Sequence, residues 1–94
     1  MRTIWKFPVP FLSGDIVMPK GAKVLGLQLQ QDVPTLWAAV DPGNPNEIHH
    51  LVTYGTGDPI DPKAGSYIGT FQIPPFVWHV YDVSGSLQAT EQQP

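Results

Sequence analysis

The chain has no cysteine, so no disulfide can staple it and no thiolate can act as nucleophile or metal ligand. Charge is also scarce. Lys, Arg, Asp and Glu make up 14% of the 94 residues, and five cations face eight carboxylates for a formal net charge of −3. The cations Arg2, Lys6, Lys20, Lys23 and Lys63 are scattered. Duplex nucleic acid is held by clustered cations that neutralise phosphates, and the scatter excludes it as a partner. Long apolar runs are missing too, because no stretch reaches the roughly 18–20 apolar residues of a membrane span. The opening segment MRTIWKFPVPFL carries two basic residues, yet Pro8 and Pro10 interrupt it and no small-residue cleavage pattern follows. It does not read as a signal peptide. A cytoplasmic protein without membrane contact is expected, which the lack of cysteine suits.

Proline and glycine are abundant instead, eleven and nine residues, and they punctuate the chain at short intervals. That rhythm belongs to strands and turns and argues against helices. The clearest strands lie between Lys23 and Pro42. Leu25, Leu27 and Leu29 alternate with Gly26, Gln28 and Gln30, then Leu36, Ala38 and Val40 alternate with Trp37, Ala39 and Asp41. Strand side chains point to opposite faces in turn, so this is a half-buried hairpin closed at Gln31-Asp32. Further strands are predicted over Arg2–Val9, Asp15–Met18, Glu47–Tyr54, Tyr67–Ile73 and Phe76–Val83. The fold class is all-β: a small antiparallel sandwich or barrel of about seven short strands. Residues 1–83 form its single domain, and residues 84–94 are a flexible polar tail.

A chain this short hides roughly 60–70% of its surface on folding, so a partner subunit is the natural source of further burial. In Phe76–Val83 the residues Val77, His79 and Tyr81 share one face, while Phe76, Trp78 and Val80 share the other. Both faces are apolar or aromatic, which predicts a homo-oligomer, most simply a two-fold dimer. Trp37 and Trp78 fit either the core or an interface, with the core reading preferred.

Chemistry-bearing patterns are few. His49 and His50 are neighbours on a strand, point to opposite faces and cannot easily grip one ion; even with His79 across the sheet a metal would lack ligands. No metal and no cofactor are expected. Asp58, Asp61, His49, His50 and His79 are the main acid–base groups outside the other loops, and Ser13, Ser66 and Ser84 sit in no nucleophile elbow. Asp58 and Asp61 belong to D-P-I-D-P, where a carboxylate before proline commonly caps a turn. No catalysis is expected. The loop Gly55-Thr56-Gly57 lacks the lysine and helix of a nucleotide P-loop. Its glycines still permit close backbone approach to a ligand, and Thr56 offers a hydroxyl.

Three groups of segments carry a resemblance: Thr3–Pro8 with Met18–Leu25, Pro34–Pro42, and Tyr54–Gly57 through Tyr67–Gln72 to Phe76–Tyr81. As a set they resemble a family of small bacteriophage proteins carrying a domain of unknown function, over about residues 2–82. The resemblance implies a phage origin, an infected bacterial cytoplasm and an all-β fold, and it transfers no catalytic residue. By analogy of origin and size, the expected role is a counter-defence factor that sequesters a nucleotide-derived immune signal. The expected ligand site is Tyr54, Gly55, Thr56 and Gly57, with Trp37 or Tyr67 stacking on a base and Arg2 or Lys63 reaching a phosphate. The negative net charge limits such a ligand to few phosphates. A structural or virion-accessory role, or binding of a host protein, is the alternative.

Overall fold

The computed structural model describes residues 1–84 and, as backbone, Gln88–Ala89. It contains eight strands: β1 Thr3–Pro8, β2 Ser13–Pro19, β3 Lys23–Gln30, β4 Val33–Val40, β5 Asn46–Gly55, β6 Ser66–Ile73, β7 Phe76–Asp82 and β8 Gln88–Ala89. They form two four-stranded sheets, β1-β4-β3-β8 and β2-β5-β7-β6. All pairings are antiparallel except the two-residue β8, which runs parallel to β3. The all-β expectation holds. β8 falls within the span expected to be a tail, whose other residues beyond Ser84 lie outside the described residues. No helix long and apolar enough to cross a membrane occurs among the described residues.

The central hairpin shows how the sequence sets the fold. β3 and β4 are joined by two residues, Gln31 and Asp32, both with positive φ (50° and 66°). Two left-handed residues in succession make the turn whose twist matches the flanking strands. On β4 the strict alternation survives: Leu36, Ala38 and Val40 are wholly buried, and Trp37 faces outward. On β3 it does not. The register shifts between Val24 and Gly26, so Val24 and Leu27 turn inward and Leu25 is left 40% exposed. A bulge inserts one residue and reverses the facing of those beyond it, which corrects the expected Leu25-Leu27-Leu29 stripe.

A second bulge, between Tyr67 and Gly69 on β6, faces β3. A Cβ on Gly69 would stand 2.9 Å from the Leu27 Cβ, so only glycine lets the two strands close this side of the sandwich. Between the sheets lies one core, built from Ile16, Met18, Val24, Leu27, Leu36, Ala38, Val40, Leu51, Ile68, Phe71 and Val80, with Val9 at its margin. Trp37 is not part of it, which corrects the preferred core reading; Trp78 packs against it while half-exposed.

The core also holds a hydrogen-bonded histidine–aspartate pair. His49 and Asp82 are 2% and 0% exposed, and Nδ1 lies 3.1 Å from Oδ2. The His49 Nε2 meets Glu47 Oε1 at 3.3 Å. Ser84 donates from Oγ and N to Asp82 Oδ1, at 2.6 and 3.0 Å. A neutral imidazole can donate to one carboxylate and an imidazolium to both. Among the described residues, every buried side-chain nitrogen and oxygen has a hydrogen-bond partner.

Two stability measurements check this account. In chemical denaturation, Leu36→Ala should cost about 2–5 kcal/mol, Gly69→Ala about 1–3 kcal/mol through overpacking, and Leu25→Ala no more than about 0.5 kcal/mol. Asp82→Ala leaves His49 facing a vacated site in the core and should cost about 3–5 kcal/mol; a loss below about 1 kcal/mol would show that the pair does not hold β5 to β7.

Candidate functional site

The outer face of the second sheet carries the densest polar and aromatic chemistry of the molecule. Alternation along β5 turns His50, Val52 and Tyr54 outward, Thr56 follows just beyond its end, and β7 adds Val77, His79 and Tyr81. On β6 the bulge brings Tyr67 opposite Tyr81 and Thr70 opposite His79. Tyr81 stands between two tyrosines, edge-on to Tyr54 at 5.6 Å and to Tyr67 at 5.5 Å between ring centroids. Rings in this arrangement set the positive edge of one against the negative face of the next.

A hydrogen-bond chain crosses these strands. Thr56 Oγ1 meets His79 Nε2 at 2.7 Å, Thr70 Oγ1 meets His79 Nδ1 at 3.0 Å, and the Tyr67 hydroxyl meets Thr70 Oγ1. Thr56 Oγ1 also donates to the Val77 carbonyl at 3.3 Å. Two opposite proton orders satisfy these contacts, because Thr56 can accept from Nε2–H or donate to an unprotonated Nε2, and the rest of the chain follows in step. In either order both ring nitrogens of His79 are engaged by threonine hydroxyls, and the side chain bridges Thr56 and β6.

Beside this chain, at the end of β5, a cleft of about 450 Å³ is lined by Gly55, Thr56, Asp58, Pro75, Phe76, Val77 and Trp78. Its aromatic wall is the pair Phe76 and Trp78, with ring centroids 5.8 Å apart and planes at 42°. Its floor is the turn after β5. Asp58 Oδ2 accepts the Gly55 N–H at 2.8 Å, and the Asp58 N–H returns a bond to the Gly55 carbonyl at 3.0 Å. The Thr56 N–H donates to the Val77 carbonyl at 3.1 Å. The backbone donors of Gly55 and Thr56 are therefore occupied, and a carboxylate sits beside them.

Of the residues expected at a ligand site, Gly55 and Thr56 line this cleft, and Tyr54 and Tyr67 lie on the adjoining face. Gly57 takes the left-handed φ of 95° in the turn and is not part of the lining. Lys63 sits in the loop before β6, where its backbone N–H donates to Asp61 Oδ1. Trp37 and Arg2 are not brought to the site. Trp37 faces outward from the other sheet, opposite Lys6 and Gly26, and Arg2 Nη2 reaches the Gly21 carbonyl at 3.4 Å. Trp78 replaces Trp37 because β7, not β4, is the neighbour of β5. Local sequence missed Phe76 and Trp78 as site residues because that pairing is long-range, although Pro74-Pro75 announced the turn that returns Phe76 along β6.

The histidines separate as alternation dictates. His49 is buried against Asp82, whereas His50 is half-exposed on the outer face, with Nδ1 2.6 Å from Asp15 Oδ1. His79 meets neither, since it lies opposite Tyr54. Among the described residues no group of three His, Asp or Glu is arranged to hold a metal ion. No curated protein and no solved structure matches the chain. Its sequence does match one family over nearly its whole length, and the protein belongs to the family defined by a domain of unknown function (DUF7352), matched over residues 1–91.

Proposed function

We propose that the protein works by binding rather than catalysis, and that it captures a nucleotide-derived molecule by its base in the Gly55–Trp78 cleft. In an infected bacterium such capture withholds an immune signal, a counter-defence role for a small phage protein. The observation that carries the reading is the splayed Phe76–Trp78 wall of a cleft about 450 Å³ in volume. An aromatic face stacks on any base, with roughly 1–3 kcal/mol per base. Against catalysis stands the Thr56–His79–Thr70 chain, in which threonine hydroxyls engage both ring nitrogens of His79 instead of leaving one as a free base.

The geometry divides such a ligand in two. Its base meets the aromatic wall, and its phosphates are best kept in solvent, away from Asp58. Titration calorimetry against nucleosides, cyclic dinucleotides and ADP-ribose derivatives tests this. At least one should bind tighter than ~10 μM, equivalent to about 7 kcal/mol. Phe76 is 59% exposed, so Phe76→Ala should leave the fold intact while weakening every bound base by about 1–3 kcal/mol. Silence across the whole panel would end the proposal.

A structural or protein-binding role has its own observation. Val17 on β2 and Ile48 on β5 are directly opposed on the outer face of the second sheet and are 51% and 64% exposed. Ile4 and Phe11 are also exposed, at 60% and 75%. Light scattering at micromolar concentration distinguishes the outcomes: an oligomer places this surface in a subunit contact, whereas a 10.3 kDa monomer leaves it for a partner protein.

A further inference from the structure

We infer that the cleft selects guanine among the bases, with Asp58 reading its hydrogen-bonding edge; the inference rests on the base-capture reading above. The carboxylate is held in place, not loose. Its Oδ2 accepts the Gly55 N–H at 2.8 Å, and its own N–H is tied back to the Gly55 carbonyl at 3.0 Å. An ionised carboxylate has about four acceptor positions. The Gly55 bond uses one, and Asp58 lines the cleft together with Phe76 and Trp78, so its remaining acceptor positions are there for a ligand.

What such a carboxylate accepts is a pair of adjacent N–H donors in one plane. Guanine presents that pair, N1–H beside the 2-amino group. Adenine and cytosine offer one amino donor beside a ring nitrogen that is an acceptor, and uracil offers one N–H between two carbonyls. Each of these sets a lone pair against the Asp58 charge. The ionised acceptor strengthens the two bonds to guanine without requiring any cation in the site, which suits a chain of net charge −3. Gly55 supports the arrangement sterically. A Cβ there would stand 3.1 Å from Asp58 Oδ2, crowding the reading group.

The test uses the full chain and five probes: guanosine, inosine, adenosine, cytidine and L-argininamide. Binding is followed by tryptophan fluorescence and calorimetry. Guanosine should bind about 10–100-fold tighter than adenosine or cytidine, the discrimination of one good bidentate pair. Inosine lacks only the 2-amino group and should lose about 10-fold. Asp58→Asn keeps an oxygen for the Gly55 N–H, so the turn is preserved, but it presents an amide in place of the second acceptor. It should abolish the guanosine preference and strengthen adenosine binding, because the amide removes the charge that opposes the adenine ring nitrogen, with the melting temperature confirming the fold. Equal affinity for all nucleosides overturns the guanine inference while base capture stands. Binding of no nucleoside overturns both. Tighter binding of argininamide than guanosine also overturns the inference, because a guanidinium offers the same paired donors and would make a protein side chain the natural occupant.

Discussion

The close passage of β6 against β3 is the constraint from which the rest of the structure follows. Gly69 lets the β6 backbone pass so near Leu27 that a Cβ would stand 2.9 Å from the Leu27 Cβ. The two bulges, at Val24–Gly26 and Tyr67–Gly69, lie on the strands that meet there. Extra twist at a bulge is what bends two flat sheets toward a common side. Leu27, Ile68 and Phe71 then join Leu36, Val40 and Val80 in one core without a disulfide. The same bulge on β6 resets the register so that Thr70, and not Gly69, stands opposite His79. The packing solution and the polar chain on the outer face are thus two consequences of one inserted residue.

How much of this was legible in the sequence depends on whether a feature is local. The β3–β4 hairpin was readable because alternation and a polar turn are properties of consecutive residues, and Leu36, Ala38 and Val40 are buried as the pattern required. That pattern also placed Trp37 on the opposite face; reading it as core demanded a covering layer that the fold does not supply. The exposure of Leu25 was not readable. A bulge is decided by what the neighbouring strands need, here the approach of β6, and Gly26 marks it only in hindsight. The pairing of Gly55 with Trp78 is equally long-range, so the Phe76–Trp78 wall of the cleft was hidden while the glycine loop was not.

The loop shows how the partners of a motif's backbone groups depend on side chains a few residues away. Gly55-Thr56-Gly57 was read as a source of free backbone donors. Those at Gly55 and Thr56 have acceptors already, one supplied by Asp58 from the same loop and one by the Val77 carbonyl. The expectation that a carboxylate before proline caps a turn was the better guide, since Asp58 does so through Oδ2. The consequence is electrostatic. A turn that satisfies a backbone N–H with a carboxylate places an acceptor where an anion site would need a donor, which is why the proposed ligand is engaged through donor groups and not through a phosphate.

Trp78 joins stability to recognition. Its ring packs against the core on one side and lines the cleft on the other, next to Phe76. A side chain that serves both regions cannot be optimised for either alone, and half-exposure leaves part of its apolar surface in water. A planar ligand that covers that surface removes it from solvent and stabilises the folded state by mass action, about 2.7 kcal/mol at a hundredfold excess over Kd. In a chain with no disulfide, stabilisation of that size is a substantial share of the total. Under the proposed function, occupancy of the cleft would be coupled to the firmness of the β5–β7 end, and through the Thr56–His79–Thr70 chain to β6, the strand that closes the sandwich.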